Sequence, residues 1–169
     1  MTNRFLDLTT PGIAGLSPYV PGKPLSELER ELGIENSIKL ASNENPLGPS
    51  PRVRAAVAAA IDELSRYPDG GAYELRRAIG RHHDVDPACV TVGNGSNDVL
   101  DMIARVFLRP GRESLFSQYA FAVYPLSSMA VGATLKVTPA LDYGHDLDAM
   151  RGMITENTGV VWIANPNNP

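Results

Sequence analysis

Apolar positions are sparse and irregular up to about residue 50 and regular after it. In the first stretch only 25–32 carries a helical pattern. The rest is rich in Pro, Gly, Ser and Asn, as in Ser17-Pro18-Tyr19-Val20-Pro21-Gly22 and Ala41-Ser42-Asn43-Glu44-Asn45-Pro46-Leu47-Gly48-Pro49. Such a segment cannot build a core of its own, so an extended arm lying against another surface is expected. From Ser50 the pattern becomes periodic. Ser50 offers a side-chain oxygen to free helical N–H groups, and Pro51 presets φ at the first helical position. Val53, Val57, Ile61 and Leu64 then recur at helical spacing. Asp69-Gly70-Gly71 predicts a turn, and a second helix follows over 72–82. Cys89-Val90-Thr91-Val92 predicts a short buried strand that Gly93-Asn94-Gly95 breaks. A helix over 96–108 is expected to turn Val99, Leu100, Ile103, Val106 and Phe107 inward.

Pro110-Gly111 ends that helix. The series continues with a strand over 114–116, a helix over 121–131 and a strand over 134–138. A helix over 146–154, capped by Asp146, and a strand over 160–164 complete it. Strands alternating with helices predict an α/β fold with a mainly parallel sheet. No internal repeat or low-complexity tract interrupts the pattern.

Composition narrows the function classes. A chain of 169 residues, 43% hydrophobic and 20% charged, is ordinary for a soluble globular protein with a real core. A formal net charge of -4, with no Lys/Arg block, gives no electrostatic case for nucleic acid or anionic membrane as a partner. The single cysteine, Cys89, allows no internal disulfide and fits a reducing cytoplasm, so a cytoplasmic location is expected. The first eight residues hold no apolar run of signal-peptide type, and no apolar run reaches the length of a membrane span. His82 and His83 are adjacent and do not share one helix face, and His145 is isolated. All three are expected at the surface, and no metal site is expected.

Four segments carry candidate chemistry. Val92-Gly93-Asn94-Gly95-Ser96-Asn97-Asp98 joins a predicted strand to a predicted helix. Free N–H groups at a helix start, with the positive end of its dipole, bind phosphate well. The same residues also fit a tight turn with Ser96 or Asn97 as cap. The segment is neither the dinucleotide fingerprint nor a Walker loop. Ser117-Gln118-Tyr119-Ala120-Phe121-Ala122-Val123-Tyr124-Pro125 follows a strand, and its aromatics suit either ring stacking or core packing. Asn165-Pro166-Asn167-Asn168-Pro169 places side-chain amides on a Pro-bounded turn, as a fixed donor or as an Asx turn. Tyr19, Asn43 and Tyr67 are polar groups on irregular backbone. The chain stops on a strand-to-loop corner, where ligand sites of open α/β sheets form, so part of a site is expected to lie beyond Pro169.

Together these segments are far more specific than any one of them. Ala-Ser-Asn-Glu-Asn-Pro-Leu-Gly at 41–48, Arg-Tyr-Pro-Asp at 66–69, Gly-Asn-Gly-Ser at 93–96, Tyr-Ala-Phe-Ala-Val-Tyr-Pro at 119–125 and Asn-Pro-Asn-Asn-Pro at 165–169 stand in a family order and spacing. The chain resembles the amino-terminal half of the histidinol-phosphate aminotransferases, fold-type I enzymes that use pyridoxal 5′-phosphate (PLP). The resemblance covers essentially all 169 residues. It implies a PLP-dependent transferase fold, here incomplete, with the end of the large domain and the small domain missing. Residues 1–50 would be an arm or small-domain segment, and 51–169 the first part of the large, PLP-binding domain.

By the same resemblance, Gly95, Ser96 and Asn97 match the cradle of the PLP phosphate. Phe121 matches the aromatic stacked on the pyridine ring. Asn168 matches the asparagine bonded to the phenolic oxygen, near the substrate carboxylate. Tyr67 matches a residue reaching across a homodimer interface to the neighbour's PLP phosphate, and Tyr19 an arm residue near the substrate phosphate, also across the dimer. Asn43 lies in the arm motif lining the substrate pocket. The family's Schiff-base lysine, its pyridine-pairing Asp and its carboxylate-binding Arg lie in the second half of its chain. None of Lys23, Lys39 and Lys136 matches that lysine. The implied reaction converts L-histidinol phosphate and 2-oxoglutarate to imidazole-acetol phosphate and L-glutamate, in histidine biosynthesis. These residues alone are expected to be a truncation that is inactive and poorly soluble. Other readings are another aminotransferase of the fold, for aromatic amino acids for example, a PLP-dependent decarboxylase or lyase, or a non-catalytic phosphate-binding module.

Overall fold

Contacts divide the chain into two units, residues 1–19 with 89–169 and residues 20–88. A computed structural model describes residues 6–19, 22–40 and 42–168. The helices are α1 Leu25–Leu32, α2 Pro51–Ala60, α3 Tyr73–His83, α4 Ser96–Phe107, α5 Val123–Ala130 and α6 Leu147–Gly152. The strands are β1 Glu113–Ser117, β2 Thr134–Thr138, β3 Ala140–Leu141, β4 Gly144–His145 and β5 Thr158–Val161. Short 3-10 turns occupy Leu6–Leu8, Ile13–Gly15, Ile61–Glu63 and Pro87–Cys89.

The first unit is built on a three-stranded parallel sheet in the order β2-β1-β5. The chain therefore moves outward from β1 to β2 and then jumps back past β1 to β5. Right-handed crossovers in opposite directions put α5 and α6 on opposite faces. Side chains of β1 alternate accordingly: Phe116 joins Ala104, Leu108, Tyr124 and Trp162 in the core under α4 and α5, and Leu115 lies on the other face, fully buried. Four consecutive residues of β1, Ser114 to Ser117, are buried, as expected of a central strand covered on both faces.

A chain of buried hydrogen bonds ties three elements together. The Trp162 indole Nε1–H donates to Ser114 Oγ at 2.8 Å, and Ser114 Oγ lies 2.7 Å from Ser128 Oγ. Ser128 Oγ donates to the Tyr124 carbonyl at 2.7 Å. A hydroxyl has one hydrogen, and Ser128's is committed to Tyr124, so Ser114 donates to Ser128. The Tyr124 and Trp162 rings stack with centroids 5.0 Å apart and planes 8° from parallel.

The expected elements are present, with corrections. No strand forms over 89–92. Cys89 closes a 3-10 turn and the next residues join no ladder, because no described strand pairs with them. Val106 and Phe107 are exposed, not inward. The buried positions at the end of α4 are Ala104 and Leu108, in register with Leu100 at four-residue steps. The last strand is Thr158–Val161 rather than 160–164, its register with β1 shifting between Glu113 and Ser114. The fifth helix starts two residues late, at Val123, because Tyr119 adopts φ 61 in a turn after β1. Lys136, in β2, pairs with Glu113 at 3.4 Å.

The second unit holds α1, α2 and α3. The Ser50 side chain accepts the Val53 N–H at 3.3 Å, as a cap should. The stripe Val53, Val57, Ile61 and Leu64 runs along α2, the 3-10 turn after it and the residue that caps that turn, and all four are exposed. Arg76 donates through Nε and Nη2 to the Pro87 carbonyl at 3.1 and 2.8 Å, fastening α3 to the segment after it. No described residue from 7 to 50 is buried. No described helix is long and apolar enough to cross a membrane.

Substituting Ser114→Ala in the full-length protein strands the buried Trp162 N–H. The expected cost is about 1–3 kcal/mol, read as a lower denaturant midpoint. An unchanged midpoint would mean that the indole finds another acceptor.

Candidate active site

The short link 108–112 returns the chain from the end of α4 to the start of β1, so α4 runs against the strand. Its first turn thus lies towards the carboxyl edge of the sheet. Gly95 is the residue before the helix, at φ 90 and ψ 170, and no side chain caps the first turn. The helix begins at Ser96, so neither Ser96 nor Asn97 acts as the cap that the tight-turn reading required. The first-turn N–H groups are left for an external partner, with the helix dipole behind them. A Cβ on Gly95 would meet nothing within 4 Å, so space is open over the corner, while its positive φ disfavours any side chain. Gly93 answers to crowding instead: a Cβ there would lie 2.9 Å from Asp98 Oδ2 and from Val99 Cγ2. Asp98 turns back to accept the Asn94 N–H at 2.9 Å, bracing the loop.

Two further loops leave the same edge. After β1, Gln118 N–H donates to the Thr138 carbonyl at 2.8 Å and Ala120 N–H to the Ser117 carbonyl at 3.2 Å. Phe121 then sits half-buried, edge-on to Tyr124 at 6.0 Å. After β5, Trp162 N–H donates to the Leu115 carbonyl at 2.8 Å before the chain turns into Asn165, Pro166, Asn167 and Asn168. The order in which strands are added reverses after β2, which sets β1 and β5 side by side. Such reversals are where open α/β sheets bind ligands. Phe121 and Asn168 stand on the loops that leave these two strands.

Unpaired polar atoms gather at this edge. Ser117 Oγ and Thr138 Oγ1 are buried without a partner among the described residues, and so are His145 Nδ1 and both amide atoms of Asn167. Ser117 and Thr138 are register partners at the ends of β1 and β2. A buried polar atom left unpaired costs about 1–3 kcal/mol, so such a concentration marks a place completed by a bound group, by water or by further chain. The open anion corner and these orphaned donors and acceptors fit a phosphorylated, polar-rimmed ring. The sequence pointed to Asn168, Phe121 and the glycine corner but missed Ser117, Thr138, Asn167 and His145. Asn167 was visible only as a neighbour of Asn168. His145, expected at the surface, is half-buried, with Nε2 3.0 Å from the Ala164 carbonyl.

Tyr19 belongs to this first unit, where it lines a cavity of about 410 Å³ with Asp101 of α4 and Leu126, Ser127 and Ala130 of α5. Asn43 and Tyr67 belong to the second unit. Asn43, at φ 49, borders a cavity of about 440 Å³ with Lys39 and Glu44, which pair at 2.7 Å. Tyr67 is fully exposed beside the turn built by Asp69. The Asp69 carboxylate accepts the Tyr73 N–H at 2.8 Å and the Gly71 N–H at 2.9 Å. These bonds, Tyr73's first, hold its pKa below the usual carboxylate value. No group of three or more His, Cys, Asp and Glu side chains among the described residues could hold a metal ion.

The model of aminotransferase class I and II matches residues 35–169. The chain belongs to this family. It is 54% identical over 171 residues to histidinol-phosphate aminotransferase 2 of Pseudomonas fluorescens (strain Pf0-1), an alignment covering 100% of this chain and 46% of that protein. It is 57% identical over 159 residues to histidinol-phosphate aminotransferase 1 of Dechloromonas aromatica, covering 93% and 43%. The chain thus spans less than half the length of these relatives. The crystal structure of histidinol-phosphate aminotransferase from Sinorhizobium meliloti in complex with pyridoxal-5′-phosphate superposes with a TM-score of 0.83 at 28% identity, over 95% of this chain and 43% of that one. The aromatic aminotransferase of Pyrococcus horikoshii, at 23% identity and TM-score 0.69, shares the fold. The α/β architecture expected from the sequence is thereby that of the fold-type I aminotransferases, present here in part.

The Asp69 turn has a testable pH dependence. A carboxyl with a depressed folded pKa contributes its stability above its unfolded value, about 4, and loses it as pH falls through the folded value. Asp69→Asn should therefore lower the thermal midpoint of the full-length protein at pH 7, with the gap to wild type closing below about pH 4. A gap independent of pH would remove the carboxylate from the account.

Proposed function

We propose that the full-length protein is a PLP-dependent histidinol-phosphate aminotransferase. It would exchange the amino group between L-histidinol phosphate and 2-oxoglutarate, giving imidazole-acetol phosphate and L-glutamate, as a step in histidine biosynthesis. The observation that carries the reading is the uncapped start of α4 behind Gly95, a corner suited to an anion, on the edge whose loops also carry Phe121 and Asn168. The 54% identity over the whole chain to a histidinol-phosphate aminotransferase supports the substrate.

In this reading the N–H groups at Gly95, Ser96 and Asn97, with the hydroxyl of Ser96 and the amide of Asn97, hold the cofactor phosphate. Phe121 packs on the pyridine ring, and Asn168 donates to its phenolic oxygen. Bound PLP supplies an electron sink for breaking and forming bonds at the amino-bearing carbon. Tyr67, fully exposed on its loop, would reach the phosphate of a partner subunit in a homodimer, and Tyr19 and Asn43 would contact substrate. The lysine that bonds the cofactor and moves the proton would come from the other half of the protein. A cytoplasmic location accords with the single exposed thiol of Cys89.

With L-histidinol phosphate and 2-oxoglutarate, the full-length protein should form glutamate with a kcat/KM at least about a hundredfold above that for phenylalanine or tyrosine. Turnover confined to aromatic amino acids would keep fold and cofactor and replace the substrate. The variant Gly95→Val should weaken PLP binding about tenfold, because a branched side chain is strained at this φ and blocks the corner. Unchanged PLP affinity would place the phosphate elsewhere.

A further inference from the structure

We propose that His145 is a positioning residue that sets where Asn168 stands, acting through the carbonyl of Ala164; this rests on the cofactor reading above. The hairpin formed by β3 and β4 crosses the edge of the sheet that bears the site. Its turn places Asp142 at φ 48 and Tyr143 at φ 62, both in the left-handed region and neither a glycine. Two such residues in a two-residue turn make a primed geometry that normally calls for Asn and Gly. Strain of this kind persists where surrounding contacts hold it, and it concentrates at functional sites.

The hairpin is fastened to both loops of the site. On the β1 side, Ala140 N–H donates to Gln118 Oε1 at 3.4 Å, and the Tyr143 ring lies 5.5 Å from that of Tyr119. On the β5 side, His145 Nε2 lies 3.0 Å from the Ala164 carbonyl. A carbonyl oxygen only accepts, so Nε2 carries the hydrogen. In the neutral ring Nδ1 is then an acceptor, and it is buried without a partner among the described residues. The imidazole spends its one N–H on a backbone carbonyl next to Asn165, four residues before Asn168. Beyond that carbonyl, Asn167 has no side-chain partner among the described residues to hold the loop. His145 ties the start of this loop to the hairpin, and an error of an ångström at a positioned donor is costly.

The test compares two amides in the full-length protein. In His145→Gln the amide nitrogen reaches the place of Nε2; in His145→Asn it falls short. PLP affinity of the apoprotein, the visible band of the bound cofactor and the thermal midpoint are measured for both, with Asn168→Ala as reference. His145→Asn should weaken PLP about tenfold and move the band as Asn168→Ala does, and His145→Gln should restore both. Wild-type affinity and band in His145→Asn would overturn the proposal, as would equal loss in both amides, which would assign the effect to ring packing. If Asn168→Ala loosens PLP and His145→Asn does not, the assignment of His145 alone fails. If Asn168→Ala leaves PLP binding unchanged, the cofactor reading of this loop fails and the assignment of His145 with it.

Discussion

The first unit depends on one buried chain of hydrogen bonds, from the Trp162 indole through Ser114 and Ser128 to the Tyr124 carbonyl. Polar atoms inside an apolar core destabilise it unless each finds a partner, and here each donor meets one acceptor in a fixed direction. The chain joins the central strand β1, the helix α5 and the segment leaving β5. The stacked rings of Tyr124 and Trp162 add apolar contact to the same joint. Because α5 follows one site loop and Trp162 precedes the other, this joint holds Phe121 and the Asn-rich turn in register at the edge of the sheet.

The edge itself follows the opposite rule. There Ser117, Thr138, His145 and Asn167 keep buried polar atoms without partners among the described residues, and α4 starts without a side-chain cap. Open atoms of this kind, beside a helix start without a side-chain cap, are what the phosphorylated cofactor proposed above would complete. The two patterns are complementary: the satisfied chain gives rigidity, and the open rim leaves donors and acceptors for a partner.

In the second unit the apolar stripe of α2 faces solvent, and no described residue from 7 to 50 is buried. Local signals alone shape this region: Ser50 caps α2, and the Asp69 carboxylate holds its turn through two backbone N–H groups. Neither needs a distant contact, and both were legible as short polar patterns before helices.

By itself the sequence determined what depends on neighbours along the chain. The alternation of strands and helices, the caps at Ser50 and Asp146, the glycine corner at Gly95 and the Asn/Pro turn were all readable, because caps, turns and periodicity act over a few residues. The tertiary structure alone decided what depends on residues far apart. Whether 89–92 becomes a strand rests on a ladder partner, and whether Val106 and Phe107 are covered rests on what packs over the end of α4. His145 becomes a site residue only because folding brings it to the carbonyl of Ala164, 19 residues along the chain. No local pattern encodes that distance, since it is set by the return of β5 to the side of β1.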